Sequence, residues 1–120
     1  MTNTLTPSDI LVSATDEVGS ALAVVRSQAL AATGEAREQL LEEYKKLIKK
    51  LQRLMILNLK EIDNQDTIVQ AVQDLTALTQ QMAKARREMA DATSTIEKTT
   101  QILKYVDEFI KVLVALGLLA

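Results

Sequence analysis

The feature that most constrains this chain is a heptad of small and apolar residues running almost unbroken from residue 68 to residue 113. Its a positions are Ile68, Leu75, Met82, Met89, Ile96, Leu103 and Ile110; its d positions are Ala71, Leu78, Ala85, Ala92, Thr99, Val106 and Leu113. Neither Pro nor Gly interrupts it. A period of 3.5 held this long predicts one continuous helix whose stripe faces another helix throughout. At 1.5 Å per residue such a helix is about 70 Å long. Ordering it costs about 1–2 kcal/mol per residue, whereas each buried a-position side chain returns about 1.5–3 kcal/mol. A bare rod is therefore unstable, and other helices must sheathe it.

The rest of the 120-residue chain fits an all-α fold in one domain. Aromatic residues make up 2% and Pro occurs once, which suits cores of Leu, Ile, Val, Met and Ala rather than strands. Three helical segments are expected, over 7–33, 35–62 and 66–116. The first opens with Thr6 as N-cap, Pro7 at the first helical position and Asp9 near the positive end of the helix dipole. Leu11, Val18 and Val25 recur at seven along it, with Ala14 and Ala21 between them.

The second segment carries a heptad of Leu41, Tyr44, Ile48, Leu51, Met55, Asn58 and Ile62, flanked by Leu40, Leu47 and Leu54. A stripe that wide touches more than one neighbour, and Asn58 is a polar interruption of the kind that fixes register. Asp63, Asn64, Gln65 and Asp66 read as the turn into the third helix, because the step from Ile62 to Ile68 is six rather than seven.

Two arrangements satisfy this pattern. The preferred one is a long antiparallel, coiled-coil-like hairpin, in which the chain runs through Gly34 with a kink or break and residues 7–62 form one arm. Composition mirrors about the turn at 63–66, so apolar ends and an Ala/Thr/Ser-rich middle would face their like. One feature opposes it: the bases of residues 45–53 would approach Lys84, Arg86 and Arg87. The alternative makes Gly34 a tight turn and gives a three-helix bundle with a protruding third helix.

A two-helix hairpin has little interior. Leu40, Leu47 and Leu54, together with Phe109, Leu113 and Leu116, are therefore expected to form an exposed apolar interface. A homo-oligomer follows, most simply a dimer that closes a four-helix bundle. Leu47→Glu with Leu54→Glu should then lower the assembly mass while leaving most of the helicity intact.

Missing residue types narrow the chemistry. With no His and no Cys, the chain lacks the ligands of zinc, haem and iron–sulfur sites and the parts of Ser/His or Cys/His nucleophilic centres. There is no Gly-rich phosphate loop. Residues 63–66 lack the Gly and terminal Glu of a calcium loop. The adjacent acid pairs Asp16 and Glu17, Glu42 and Glu43, and Asp107 and Glu108 point about 100° apart on a helix, so they read as solvated surface. Met82 and Met89 read as core. No enzyme, cofactor or metal site is expected.

Charge is blocky: residues 1–43 hold Arg26 and Arg37 against seven acids, while residues 44–60 hold six bases and no acid. Lys45, Lys46, Lys49, Lys50 and Arg53 form a candidate patch for an anionic ligand, with i,i+3 and i,i+4 pairing to Glu38, Glu42 and Glu43 as the simpler reading. No aromatic residues are interleaved and the pI is 5.2, so nucleic acid is disfavoured. The apolar C-terminal run offers a second function class, a membrane-active component such as a pore-forming toxin or secretion translocator, although Lys104, Asp107, Glu108 and Lys111 keep a polar edge there. The absence of Cys leans towards the cytoplasm, and the polar N-terminus carries no ordinary signal peptide, leaving export by another route open. The leading expectation is a non-enzymatic helical protein that self-associates and binds a protein partner.

Overall fold

A computed structural model describes residues 5–120; Met1 to Thr4, part of the polar N-terminal stretch, lie outside the described residues. It is all-α, with four helices rather than three: α1 (Pro7–Ala31), α2 (Gly34–Met55), α3 (Gln65–Arg87) and α4 (Ala92–Ala115). Among the described residues 81% are helical and no strand forms.

Side-chain caps open α1, α3 and α4, whereas Thr33 makes no such bond at the start of α2. The Asp9 N–H donates to Thr6 Oγ1 at 3.2 Å and the Thr6 N–H to Asp9 Oδ2 at 2.9 Å, a reciprocal cap that supplies partners for otherwise orphaned donors. Asn64 Oδ1 accepts from the Thr67 N–H at 3.1 Å and opens α3. Gly34 takes the left-handed region (φ 62°), so the chain turns sharply there instead of running on. Gly117 does the same (φ 68°), and the Leu118 N–H returns to the Leu113 carbonyl at 2.8 Å to close α4.

The single long rod is overturned. The third helix stops at Arg87 and a new one starts after Asp91. Asp91 Oδ1 accepts from the Ser94 N–H at 2.8 Å, and the Asp91 N–H donates to Ser94 Oγ at 2.9 Å. This box offers the backbone an alternative to continuing the i→i−4 ladder. The folding-back also covers apolar surface that a straight rod would have left bare. Lys98 meets Glu88 at 3.4 Å across the turn. Neither the long hairpin nor the three-helix bundle with a protruding end describes the result.

The second expected helix also ends early, at Met55 rather than residue 62. Residues 56–64 form a connection stitched to the C-terminal tail: the Lys60 N–H donates to the Leu118 carbonyl at 2.7 Å and the Ala120 N–H to the Asn58 carbonyl at 2.9 Å, flanking an isolated antiparallel bridge between Leu59 and Leu119. Asn58 is thus a backbone acceptor outside the helix, not a polar register pin within it.

The helices form a ring in the order α1, α2, α4, α3, with each in contact with its neighbours and α1 also reaching α4 across the short diagonal. Among the described residues α2 and α3 do not touch, so the 56–64 connection crosses one end of the bundle diagonally. The anticipated repulsion between α2 bases and Lys84, Arg86 and Arg87 does not arise, because the two helices sit at opposite corners. The molecule measures 53 × 28 × 19 Å. Its flattened section suits α1, whose buried stripe of Ile10, Ala14, Val18, Ala21, Val25 and Ala29 is half alanine and permits close approach. Across the seam between layers, Arg86 of α3 reaches Glu17 of α1 at 2.7 Å, and Lys50 of α2 pairs with Asp107 of α4.

Candidate interaction surface

Leu40, Leu47, Leu54, Phe109 and Leu113, expected on an exposed interface, all lie in the interior of the single chain, at no more than 1% exposure. Leu116 is half-buried against the same core. The correction has a simple physical cause. With four helices the chain supplies its own sheath, and the apolar surface that called for a second copy is filled from within.

On α2 the two stripes exchange roles. Leu40, Leu47 and Leu54 face the core, whereas the heptad line of Leu41, Tyr44, Ile48, Leu51 and Met55 lies along the outer, α1-facing flank, where its members are half-buried or exposed. Leu41 is 42% and Met55 67% exposed.

On α1, Val12 (61%) and Leu30 (67%) stand out from the surface beside them. Leu30 and Leu41 border one shallow groove of about 180 Å³ with Ala29 and Tyr44, and Arg26 and Arg37 stand on its rim. Val12 and Met55 border a second, of about 250 Å³, which also takes in Thr15 and Asp16. Both grooves open along the seam between α1 and α2, near opposite ends of the pair. Among the described residues neither Arg26 nor Arg37, nor Asp16, takes part in an ion pair. Thus the only two bases of the first 43 residues converge on one apolar groove. Ile56, just past α2, is exposed as well, while α3 and α4 show Val69 and Val114. Exposed apolar side chains are therefore concentrated on the α1–α2 layer.

Three of the six basic residues of α2 have an acidic partner among the described residues. Lys45 lies 3.6 Å from Glu42, Lys46 lies 3.2 Å from Glu43, and Lys50 pairs with Asp107. Lys49 and Arg53 are exposed and have no ion-pair partner among the described residues. The Lys45–Glu42 pair is the local i,i+3 pairing expected of a solvated helix face, whereas Glu43 is buried beside Lys46 and Lys50 forms an interhelical bridge. A further groove of about 410 Å³ lies where α1 and the crossing connection meet, lined by Thr6, Pro7, Ser8 and Ile68 among others. Among the described residues no group of acids stands close enough to hold a metal ion, and no helix is long and apolar enough to cross a membrane.

No protein-family model, curated protein or solved structure matches the chain.

Residue spacing alone did not bring Val12 and Leu30 forward, because both lie outside the Leu11, Val18 and Val25 stripe. Val12 and Leu30 belong to a line offset from the first by one position, but Asp16, Gly19 and Arg26 interrupt it, so it carries no apolar periodicity of its own.

Proposed function

We propose that this chain is a non-enzymatic helical interaction protein that docks on protein, copies of itself included, through the outer face of the α1–α2 layer. The observation that carries this reading is the concentration of exposed apolar side chains there: Val12, Leu30, Leu41 and Met55 on the two helices, with Ile56 adjoining. Single exposed apolar residues need no explanation, but several on one face, gathered into two grooves flanked by Arg26, Arg37 and Asp16, favour that face as an interaction site.

The membrane-active reading draws less support. Phe109, Leu113 and Leu118, the side chains best suited to enter lipid, are buried in the core, and releasing them means opening the bundle. Absence of co-sedimentation with anionic liposomes at low salt would count further against it.

Site-specific photo-cross-linking in the source cell tests the docking reading. A photoreactive residue at Leu41 is expected to give adducts with protein, and the same residue at the exposed Gln81 of α3 to give none. Equal labelling at both sites, or none at Leu41, rejects the assignment.

A further inference from the structure

α1 carries two stripes with helical spacing. The buried one runs through Ala14, Val18, Ala21 and Val25. The other faces outward: Val12, Asp16, Gly19, Ala23, Arg26 and Leu30 follow each other at steps of four, three, four, three and four, a strict heptad. None of these six is buried within the chain. Gly19 is informative here. A β-carbon added to it would meet nothing within 4 Å, so packing inside the chain does not call for glycine, which is a poor residue for a helix interior.

The outward stripe is also its own complement when reversed. About the level of Ala21, Val12 is the mirror position of Leu30, Asp16 of Arg26, and Gly19 of Ala23. Two such stripes laid antiparallel would set apolar against apolar at both ends, acid against base twice, and the two smallest residues against each other at the centre. Small residues at the crossing let helix axes approach closely. The same operation suits α2. That helix runs antiparallel to α1, and the two share one groove at the Leu30 end and another at the Val12 end. Turning a second copy end for end therefore sets the arginine-rimmed groove of each over the Asp16-bearing groove of the other. An isologous contact has this reciprocal form.

We infer that the outer α1–α2 face is a self-docking surface, on which a second copy packs antiparallel about a two-fold axis at the level of Ala21. The face between Val12 and Leu30 is about 27 Å long and about 20 Å across two packed helices. It would bury about 1,100 Å² in total, the size of a reversible pair rather than a permanent one. The inference deepens the docking reading above by naming the occupant.

The test is sedimentation equilibrium of the full chain, with circular dichroism to confirm that each variant keeps its helicity. The wild-type protein is expected to form a dimer whose population grows with concentration. Asp16→Arg and Arg26→Asp should each raise the dissociation constant at least about tenfold, because each sets like charges opposite one another. The double exchange Asp16→Arg with Arg26→Asp rebuilds both pairs and should restore dimerisation to near the wild-type value. A monomeric wild-type protein, or a double exchange no better than the singles, overturns the two-fold pairing. If the chain is monomeric yet position 41 still cross-links to another protein, the docking face survives and only its occupant is wrong. If there is neither dimer nor adduct, both readings fall.

Discussion

The guanidinium of Arg86 on α3 donates to the Glu17 carboxylate on α1 at 2.7 Å, with both side chains roughly a quarter exposed. The contact joins residues 69 positions apart and ties the α1–α2 layer to the α3–α4 layer. A partly exposed pair of this kind contributes modestly. A double-mutant cycle with Glu17→Gln and Arg86→Gln, read by urea denaturation, should give a coupling energy of about 0.5–1 kcal/mol that shrinks in high salt. Zero coupling at low salt would show that the two side chains do not hold each other in solution.

Leu47 should behave as a core residue and not as a contact between copies. Leu47→Ala is expected to cost about 2–5 kcal/mol of stability while leaving any dimer constant unchanged apart from the loss of folded protein. Leu47→Glu buries a carboxylate without a partner and should abolish most of the helical circular dichroism. Full helicity with a lower assembly mass would restore Leu47 to an exterior interface.

Two helix starts make stability depend on acid. Asp9 is held below its ordinary value of 3.8 by the Thr6 backbone N–H and then the Thr6 side chain. Asp91 is held below the same value by the Ser94 backbone N–H and then the Ser94 hydroxyl. A carboxylate depressed in the folded state contributes fully above the unfolded value and loses its contribution as pH falls through the folded one. Denaturation midpoints measured from pH 7 down to pH 2 should therefore drop below about pH 4. The double variant Asp9→Asn with Asp91→Asn, which keeps an oxygen acceptor at each site, should drop less. Parallel curves for the two proteins would remove these caps as a source of acid sensitivity.

Gly19→Ala separates folding from pairing. Within one chain the new methyl group meets nothing within 4 Å, so the better helix former should stabilise the monomer by about 0.5–1 kcal/mol. Between copies the same methyl lies at the crossing point and should weaken the dimer. A rise in thermal stability measured at dilution, together with a rise in dissociation constant, is the expected signature. Stabilisation with unchanged association would place the contact elsewhere.

The all-helical class, the cap at Thr6 and a last helix ending near residue 116 were legible because each rests on composition or on chemistry local to a few residues. The break at residues 88–91 was not, and the reason is a one-residue slip. The buried line of α3 runs through Leu75 and Met82 to Met89, whereas that of α4 runs through Thr95, Ile102 and Phe109. The step from Met89 to Thr95 is six, the same shortened step that marks the Ile62 to Ile68 turn. It was hidden because Ile96, beside Thr95, is apolar and continues the seven-residue count, and because Thr99, Val106 and Leu113 serve both registers. The buried Thr95 hydroxyl has no hydrogen-bond partner among the described residues, so its interior position runs against side-chain chemistry. Asp91 and Ser94 carried the only local sign of the break.

The candidate surface was harder to read for a different reason. Leu40, Leu47 and Leu54 differ from Leu41, Ile48 and Met55 by a single step around α2, and both lines are apolar. Which one turns inward depends on where α1 and α4 pack against it, and both contacts are made by helices outside α2. No pattern within α2 contains that information.

The diagonal crossing of residues 56–64 sets how the molecule is divided. Each layer is a hairpin of sequence neighbours, α1 with α2 and α3 with α4, and much of the core is the seam between them. The chain thus resembles a complex of two unlike partners carried on one leash. Much of the leash's contribution is effective concentration, keeping each half within reach of the other. Severed there, the two halves would have to find one another as separate molecules, each exposing a bare apolar flank fitted to its counterpart.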